Sequence, residues 1–293
     1  MLPSGSPNNE AYEKLLESPI YKEWIEIFSN KFVNDNKNIL ASYNKLWVDD
    51  PLHSWSRGWE YTFVIAAIQK YAPRNKDLFI LDAGSGVTFI DWMIIYEVIE
   101  DRPGSRLLAI DSHKSFGKLF HEINQRNMVL AKNGQYPNKY TIPKVHFAMY
   151  NIEDDIRLLN YSFDIAISVS VMEHVPNSTR AARNIFNSLA PGGYLIITFD
   201  IDKNNAIVQH SPSKADKMLS ELRQMGKEIY FNSNVLRTYN DEPFQNNIEL
   251  KDDLYTLYEG KRRDFDKASW INRISEQARK GLFFSCHVFQ KPQ

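Results

Sequence analysis

A chain of 293 residues, 43% hydrophobic and 24% charged, has the apolar mass for one large core, and its formal net charge of −1 provides no general basic field to hold a nucleic-acid backbone. The single cysteine, Cys286, excludes an internal disulfide and fits a reducing cytoplasm, and no apolar run approaches the ~20 residues of a membrane span. The seven histidines show no metal-ligand spacing such as His-x-x-x-His, so no metal site is expected.

The first seventy or so residues read as helices. Glu10–Glu17 is one, and Tyr21–Phe32 carries Tyr21, Trp24, Ile25, Phe28 and Phe32 at helical spacing. A third and stronger helix runs from Trp55 to Tyr71 and ends before Pro73. The pattern then alternates. Apolar strand-like runs occur at Leu78–Leu81, Leu107–Ile110, Val145–Ala148, Phe163–Val169 and Tyr194–Phe199. Helical stretches separate most of them: Thr88–Glu100, Lys114–Lys132 stopped by Gly134, and Ser178–Leu189 stopped by Pro191-Gly192-Gly193. Strands apolar on both faces, alternating with helices, predict an open, mostly parallel α/β sheet of Rossmann type, covered on both sides.

After Asp200 the alternation stops. Ser211–Met225 reads as a helix closed by Gly226, and residues 230–270 show no clean period. The final run GLFFSCHVFQK alternates as a strand and is expected beside Tyr194–Phe199, in antiparallel sense. The whole reads as a single domain, with a helical cap over 1–72, a core over 73–202 and an insertion or lid with a final strand over 203–293. Lys261-Arg262-Arg263 lies in the insertion and reads as a solvated face, or else as a contact for a substrate phosphate or carboxylate.

The chemistry concentrates at LDAGSG, residues 81–86. A tight strand-to-helix turn with two glycines lets backbone approach a ligand closely, at the edge where open α/β sheets bind ligands. The next strand ends in Asp111, at the spacing where a carboxylate takes ribose hydroxyls. A third strand ends in Met149-Tyr150-Asn151, followed by Glu153 and Asp154, where an adenine amino group would be met. Gly-x-Gly-x-x-Gly would mark a dinucleotide, but Phe89 stands at the third glycine position. Asp82 would repel a pyrophosphate and suits a ligand carrying an ammonium group. S-Adenosylmethionine has both an adenosine end and an amino-acid end.

Four stretches in order, LDAGSG (81–86), AID (109–111), FDIAISVSVMEHV (163–175) and LAPGGYLIITF (189–199), resemble a class I S-adenosylmethionine-dependent methyltransferase. The resemblance implies that Asp82, Gly84 and Gly86 hold the cofactor's methionine end and Asp111 its ribose. Asn151 stands where the family commonly has an acidic residue near adenine, and Thr88 where many members have a third glycine. Ser112, Ile152 and Ser168 complete the candidate cofactor set, with Arg57 from the cap. The helix SWSRGWEYTF is similar to the N-terminal segment of some bacterial methyltransferases acting on sugars or small secondary metabolites. It reads either as a lid whose Arg57 meets a carboxylate, or as a surface helix with an Arg57–Glu60 ion pair and a buried Trp59.

Methyl transfer from a sulfonium is a direct displacement, so positioning and exclusion of water dominate, and a hydroxyl nucleophile also wants a base. His174 is the first candidate base, with Glu173 beside it; Asp200 is second and His210 third. The competing expectations are a nicotinamide oxidoreductase on the same sheet and a catalytically silent adenosylmethionine-binding protein. The favoured partner is a small-molecule or glycan acceptor, with nucleic acid disfavoured by the charge balance and a cytoplasmic location expected.

Overall fold

The computed structural model of the protein describes residues 2, 4–7, 9–43, 52, 56–135, 145–203, 205, 208–229, 236–237 and 282–293. Its strands are β1 (Ser6–Pro7), β2 (Phe79–Ala83), β3 (Arg106–Asp111), β4 (Val145–Met149), β5 (Phe163–Val169), β6 (Leu189–Asp202), β7 (Lys227–Ile229), β8 (Leu236–Arg237) and β9 (Leu282–Gln290). The main sheet has the order β4-β3-β2-β5-β6-β9-β7. β2 to β6 are mutually parallel; β9 runs antiparallel to β6, and β7 antiparallel to β9. The short strands β1 and β8 pair separately. The fold is the expected Rossmann-like one, including the antiparallel insertion of the last strand.

Successive side chains of a strand point to opposite faces, so continuous apolar strands build two cores. Ile80, Leu107, Ala109, Ile165 and Ile167 enter one core; Leu81, Leu108, Ile110, Ala166 and Ile197 enter the other. The first core is closed by helices α1 (Asn9–Leu16), α2 (Glu26–Leu40), α3 (Arg57–Tyr71), α4 (Ile90–Met93) and α5 (Phe116–Lys132). The second is closed by α6 (Ser178–Asn187) and α7 (Pro212–Met225). Both second-face helices start on side-chain caps: Asn177 accepts the Arg180 N–H and Ser211 the Lys214 N–H. Each such cap contributes about 1 kcal/mol.

Several boundaries differ from the sequence pattern for identifiable reasons. The second helix begins with a π turn over Ile20–Ile25 and continues to Leu40, well past Phe32. The polar run Asn34–Asn38 hid this, because Asn36 is itself buried and donates to Phe32 O and Asn127 Oδ1. The helix after β2 covers Ile90–Met93 and widens into a π segment, Ile94–Val98, inside the wider span expected. α6 stops at Asn187, because Leu189 already pairs with Phe163. Pro191-Gly192-Gly193 lies inside β6, where the register slips before Ile165 meets Tyr194.

α3 is buried along nearly its whole length, so it is an internal wall and not a surface helix, although the Arg57–Glu60 pair does form. Pro212–Met225 packs on the sheet and Lys227–Ile229 forms its edge, fastened to β9 by Glu228 Oε1 against His287 Nδ1 at 2.7 Å. Trp55, the 230–280 part of the insertion expected from residue 203 onward, apart from β8, and Lys261-Arg262-Arg263 lie outside the described residues.

Candidate active site

In an open parallel sheet the ligand position is beyond the carboxyl ends of the strands, where their order reverses. Here that point lies between β2 and β5, since β3 and β4 extend one way and β6 the other. A cleft of 740 Å³ opens there, within the ~300–1,000 Å³ range of small-molecule sites. Of the residues expected at a ligand, Arg57, Gly84, Gly86, Asp111, Ser112, Asn151, Ile152 and His174 line it. Asp82, Ser168 and Asp200 do not.

The glycine turn forms one wall. Gly84 and Gly86 take φ of 79° and 56°, values that disfavour any residue with a Cβ. The Gly84 and Ser85 N–H groups donate to the Ile110 carbonyl at 2.8 and 3.1 Å, which ties the turn to β3. At the end of β3 the Asp111 carboxylate accepts the Gly86 N–H at 3.1 Å and the His113 N–H at 2.9 Å. Each carboxylate oxygen keeps a further lone pair for a ligand hydroxyl. Beyond β4, the Asn151 side chain accepts the Glu153 N–H at 3.0 Å, and Asn184 from α6 donates to the Glu153 and Asp154 carbonyls at 2.8 Å each. That loop is therefore held open beside the apolar Ile152.

Asp82 is buried and does not reach the cleft lining. It is buried near Asp91, whose two carboxyl oxygens are buried without a hydrogen-bond partner. Burial first, then the neighbouring Asp82, pushes Asp91 well above the carboxylate range, and burial likewise raises Asp82. Two carboxyls buried side by side disfavour a charge on both, so the pair favours retaining a proton. Ser168 is fully buried, its hydroxyl donating to the Ala83 carbonyl at 2.9 Å, which joins β5 to β2.

The opposite wall comes from α3. Arg57 pairs with Glu60 and receives support from Ser170, which follows β5. Burial opposes the Arg57 charge, but Glu60, then Asp200, Tyr61 and Glu173, hold it firmly protonated. The buried Tyr61 phenol faces Thr88, and burial raises its pKa. A third side is aromatic: His113 stacks on Phe116 at 4.5 Å, and Tyr43 meets Phe116 edge-on at 5.0 Å. Sequence reasoning missed Tyr43, Phe116, Asp91 and Ser170. Asp91 could have been found as an unmatched acid within the apolar run IDWMIIY, but Tyr43 gave no signal because only the fold carries the end of α2 to the cleft.

His174 lies on the loop after β5, exposed to the cleft, with Nε2 3.9 Å from Glu173 Oε1. Burial and then the Arg57 charge lower its pKa, so it is neutral near pH 7 and able to accept a proton. Glu173 has a fully buried side chain without a hydrogen bond, and burial followed by the Asp200 charge raises it well above the carboxylate range. Asp200 is buried behind this loop, within electrostatic reach of Arg57 and Glu173. His210 is buried too. Its Nδ1 donates to the Asp200 carbonyl at 2.8 Å, and it does not line the cleft.

Among the described residues no group of His, Cys, Asp and Glu could hold a metal ion, and no helix is long and apolar enough to cross a membrane. No curated protein matches the sequence closely enough to count as a relative. Among solved structures, the 4+2 cyclase SpnF is similar over 90% of this chain and 94% of its own, at 13% identity and a TM-score of 0.53. The MccD protein is similar over 78% and 96%, at 15% identity and a TM-score of 0.50. Haemonchus contortus phosphoethanolamine N-methyltransferase 2, solved with phosphomonomethylethanolamine and S-adenosylhomocysteine, covers 91% of this chain with 59% of its own, at 15% identity and a TM-score of 0.48. Likeness at these identities speaks for the fold alone. The sequence itself matches the profile of the methyltransferase domain over residues 57–233, a span that includes Arg57, the glycine turn, Asp111 and His174. That match sets aside the nicotinamide oxidoreductase alternative, and the chain belongs to the methyltransferase-domain family.

Proposed function

We propose that the protein transfers the methyl group of S-adenosylmethionine to a small-molecule or glycan acceptor by direct displacement. The observation that carries this reading is the shared cleft of the two-glycine turn and Asp111, whose carboxylate already braces that turn. The residues present fit such a cofactor. Glycine at 84 and 86 leaves backbone open to it, Asp111 would take its ribose hydroxyls, and Asn151 and Ile152 would meet its adenine. Bound there, the cofactor supplies a sulfonium methyl open to nucleophilic attack.

The chain's own residues then do three things. Arg57 holds a carboxylate on the cap side. The aromatic group of Tyr43, His113 and Phe116 covers the cleft and limits water near the charged ligand. His174, neutral near pH 7, takes the proton that a hydroxyl or ammonium acceptor must lose, and passes it to solvent. Asp82, buried and off the cleft lining, acts through the turn that follows it. The cleft volume and the net charge of −1 favour a small acceptor over a nucleic acid.

The test is incubation of the purified protein with methyl-labelled S-adenosylmethionine and extracts of its source cell, following label into product and measuring S-adenosylhomocysteine. Labelled product of low mass supports the reading. Cofactor binding without any S-adenosylhomocysteine would leave only the silent binding protein, and absence of binding would end the cofactor assignment.

A further inference from the structure

We propose that Ser170 is a positioning residue that holds Arg57 with one edge of its guanidinium presented to the cofactor's carboxylate; this rests on the S-adenosylmethionine reading above. Ser170 has φ 51°, in the left-handed region that residues other than glycine rarely occupy. Its N–H is held by the Thr198 carbonyl at 3.0 Å and the Thr198 hydroxyl at 3.2 Å. Glycine would meet that backbone demand without strain. What serine adds is a hydroxyl.

That hydroxyl both donates and accepts. It donates to the Glu60 carboxylate, with its two oxygens at 2.8 and 3.0 Å, and accepts from Arg57 Nη1. Glu60, completely buried, also accepts from Ser56 at 3.1 Å and from the same Arg57 Nη1. Serine, glutamate and arginine therefore close a triangle between α3 and the end of β5. All the hydrogen bonds that Arg57 makes in this arrangement go through Nη1. Nε and Nη2 keep their donors, in the fork geometry that matches a carboxylate. Arg57 and Ser170 both line the cleft, so the triangle sets the direction in which that fork points. Without the hydroxyl, Glu60 would retain Arg57 but the second anchor of Nη1 would be lost.

The experiment compares calorimetric binding of S-adenosylhomocysteine, which has the carboxylate, with 5′-methylthioadenosine, which lacks the amino-acid end. Ser170→Gly is expected to weaken S-adenosylhomocysteine about ten-fold, the usual scale for a hydrogen bond to a charged group, while 5′-methylthioadenosine binds as to wild type. Arg57→Ala should show the same split, and the double variant should bind no more weakly than Arg57→Ala alone. Ser170→Ala, which keeps the backbone strain and loses only the hydroxyl, should reproduce the split if the glycine variant fails to fold. An unchanged S-adenosylhomocysteine affinity, equal loss of both ligands, or additive losses in the double variant would overturn the positioning role. Failure of the wild-type protein to bind either ligand would instead overturn the cofactor reading beneath it.

Discussion

Gly84 and Val171 meet across the point where strand order reverses: a Cβ built on Gly84 would lie 2.5 Å from Val171 Cγ1 and 2.7 Å from Cγ2. The turn after β2 is thereby packed directly against the Val171 side chain of the loop after β5, with no room for a second side chain. Gly84→Ala combines this overlap with an unfavourable φ and should destabilise the fold by about 1–3 kcal/mol, with weaker cofactor binding. Adding Val171→Ala should recover the steric part and leave the backbone part. Chemical denaturation of both variants checks this; equal stability of Gly84→Ala and wild type would contradict it.

Asp111 braces the turn with the same carboxylate that the proposed function assigns to the ribose. Asp111→Ala should weaken S-adenosylhomocysteine by roughly a hundred-fold or more, since a charge-assisted acceptor and the brace on Gly86 are lost together. Asp111→Asn, which keeps one carbonyl acceptor, should fall between. Titration calorimetry reads both, and unchanged affinity in the alanine variant would remove the ribose assignment.

For His174 the sign of the pH effect follows from its depressed pKa. A base works when unprotonated, so kcat/KM should rise with pH through a midpoint below 6.5 and be flat by neutrality. His174→Ala should keep the affinity for S-adenosylhomocysteine, lower kcat by about 10²–10⁴-fold, and lose that acid limb. Full turnover in the variant would discard the base.

The Asp82–Asp91 pair makes an opposite prediction about stability. Both folded-state pKa values are raised, so the native state binds more protons than the unfolded chain above the normal carboxylate pKa. Stability from the pair is therefore greatest at low pH and declines as pH rises through the folded values. Asp91→Asn keeps a polar side chain of the same size beside Asp82 without the titration. Its thermal midpoint should exceed that of wild type at pH 8, with the gap shrinking toward pH 5. A gap that grows on acidification would refute the retained proton.

The sheet was readable because runs such as FILDA and RLLAID are apolar at consecutive positions, and only strands covered on both faces tolerate that. The two-glycine turn and Asp111 were readable for a related reason: both sit at strand ends, where one fold rule places the ligand. What could not be read depended on distant contacts. Asn36 looks like a solvent residue until Asn127 is brought beside it. Ser170 looks like any strand-end serine until Glu60 approaches from a helix far earlier in the chain. Ser168 is the reverse case, a polar residue near the expected site whose hydroxyl the neighbouring Ala83 carbonyl consumes.

The insertion of β9 between β6 and β7 has a consequence for assembly. Among the described residues, β7 is made earlier and pairs in the sheet with β9 alone, and Gly5 bridges the same strand through Cys286. A growing polypeptide thus carries β6 without its described antiparallel neighbour until that late strand is made, and an unpaired apolar margin is a liability for self-association. Chaperone demand should accordingly be set by how quickly that late segment emerges, and a ribosome stalled ahead of it would display a sticky sheet with its closing staves missing.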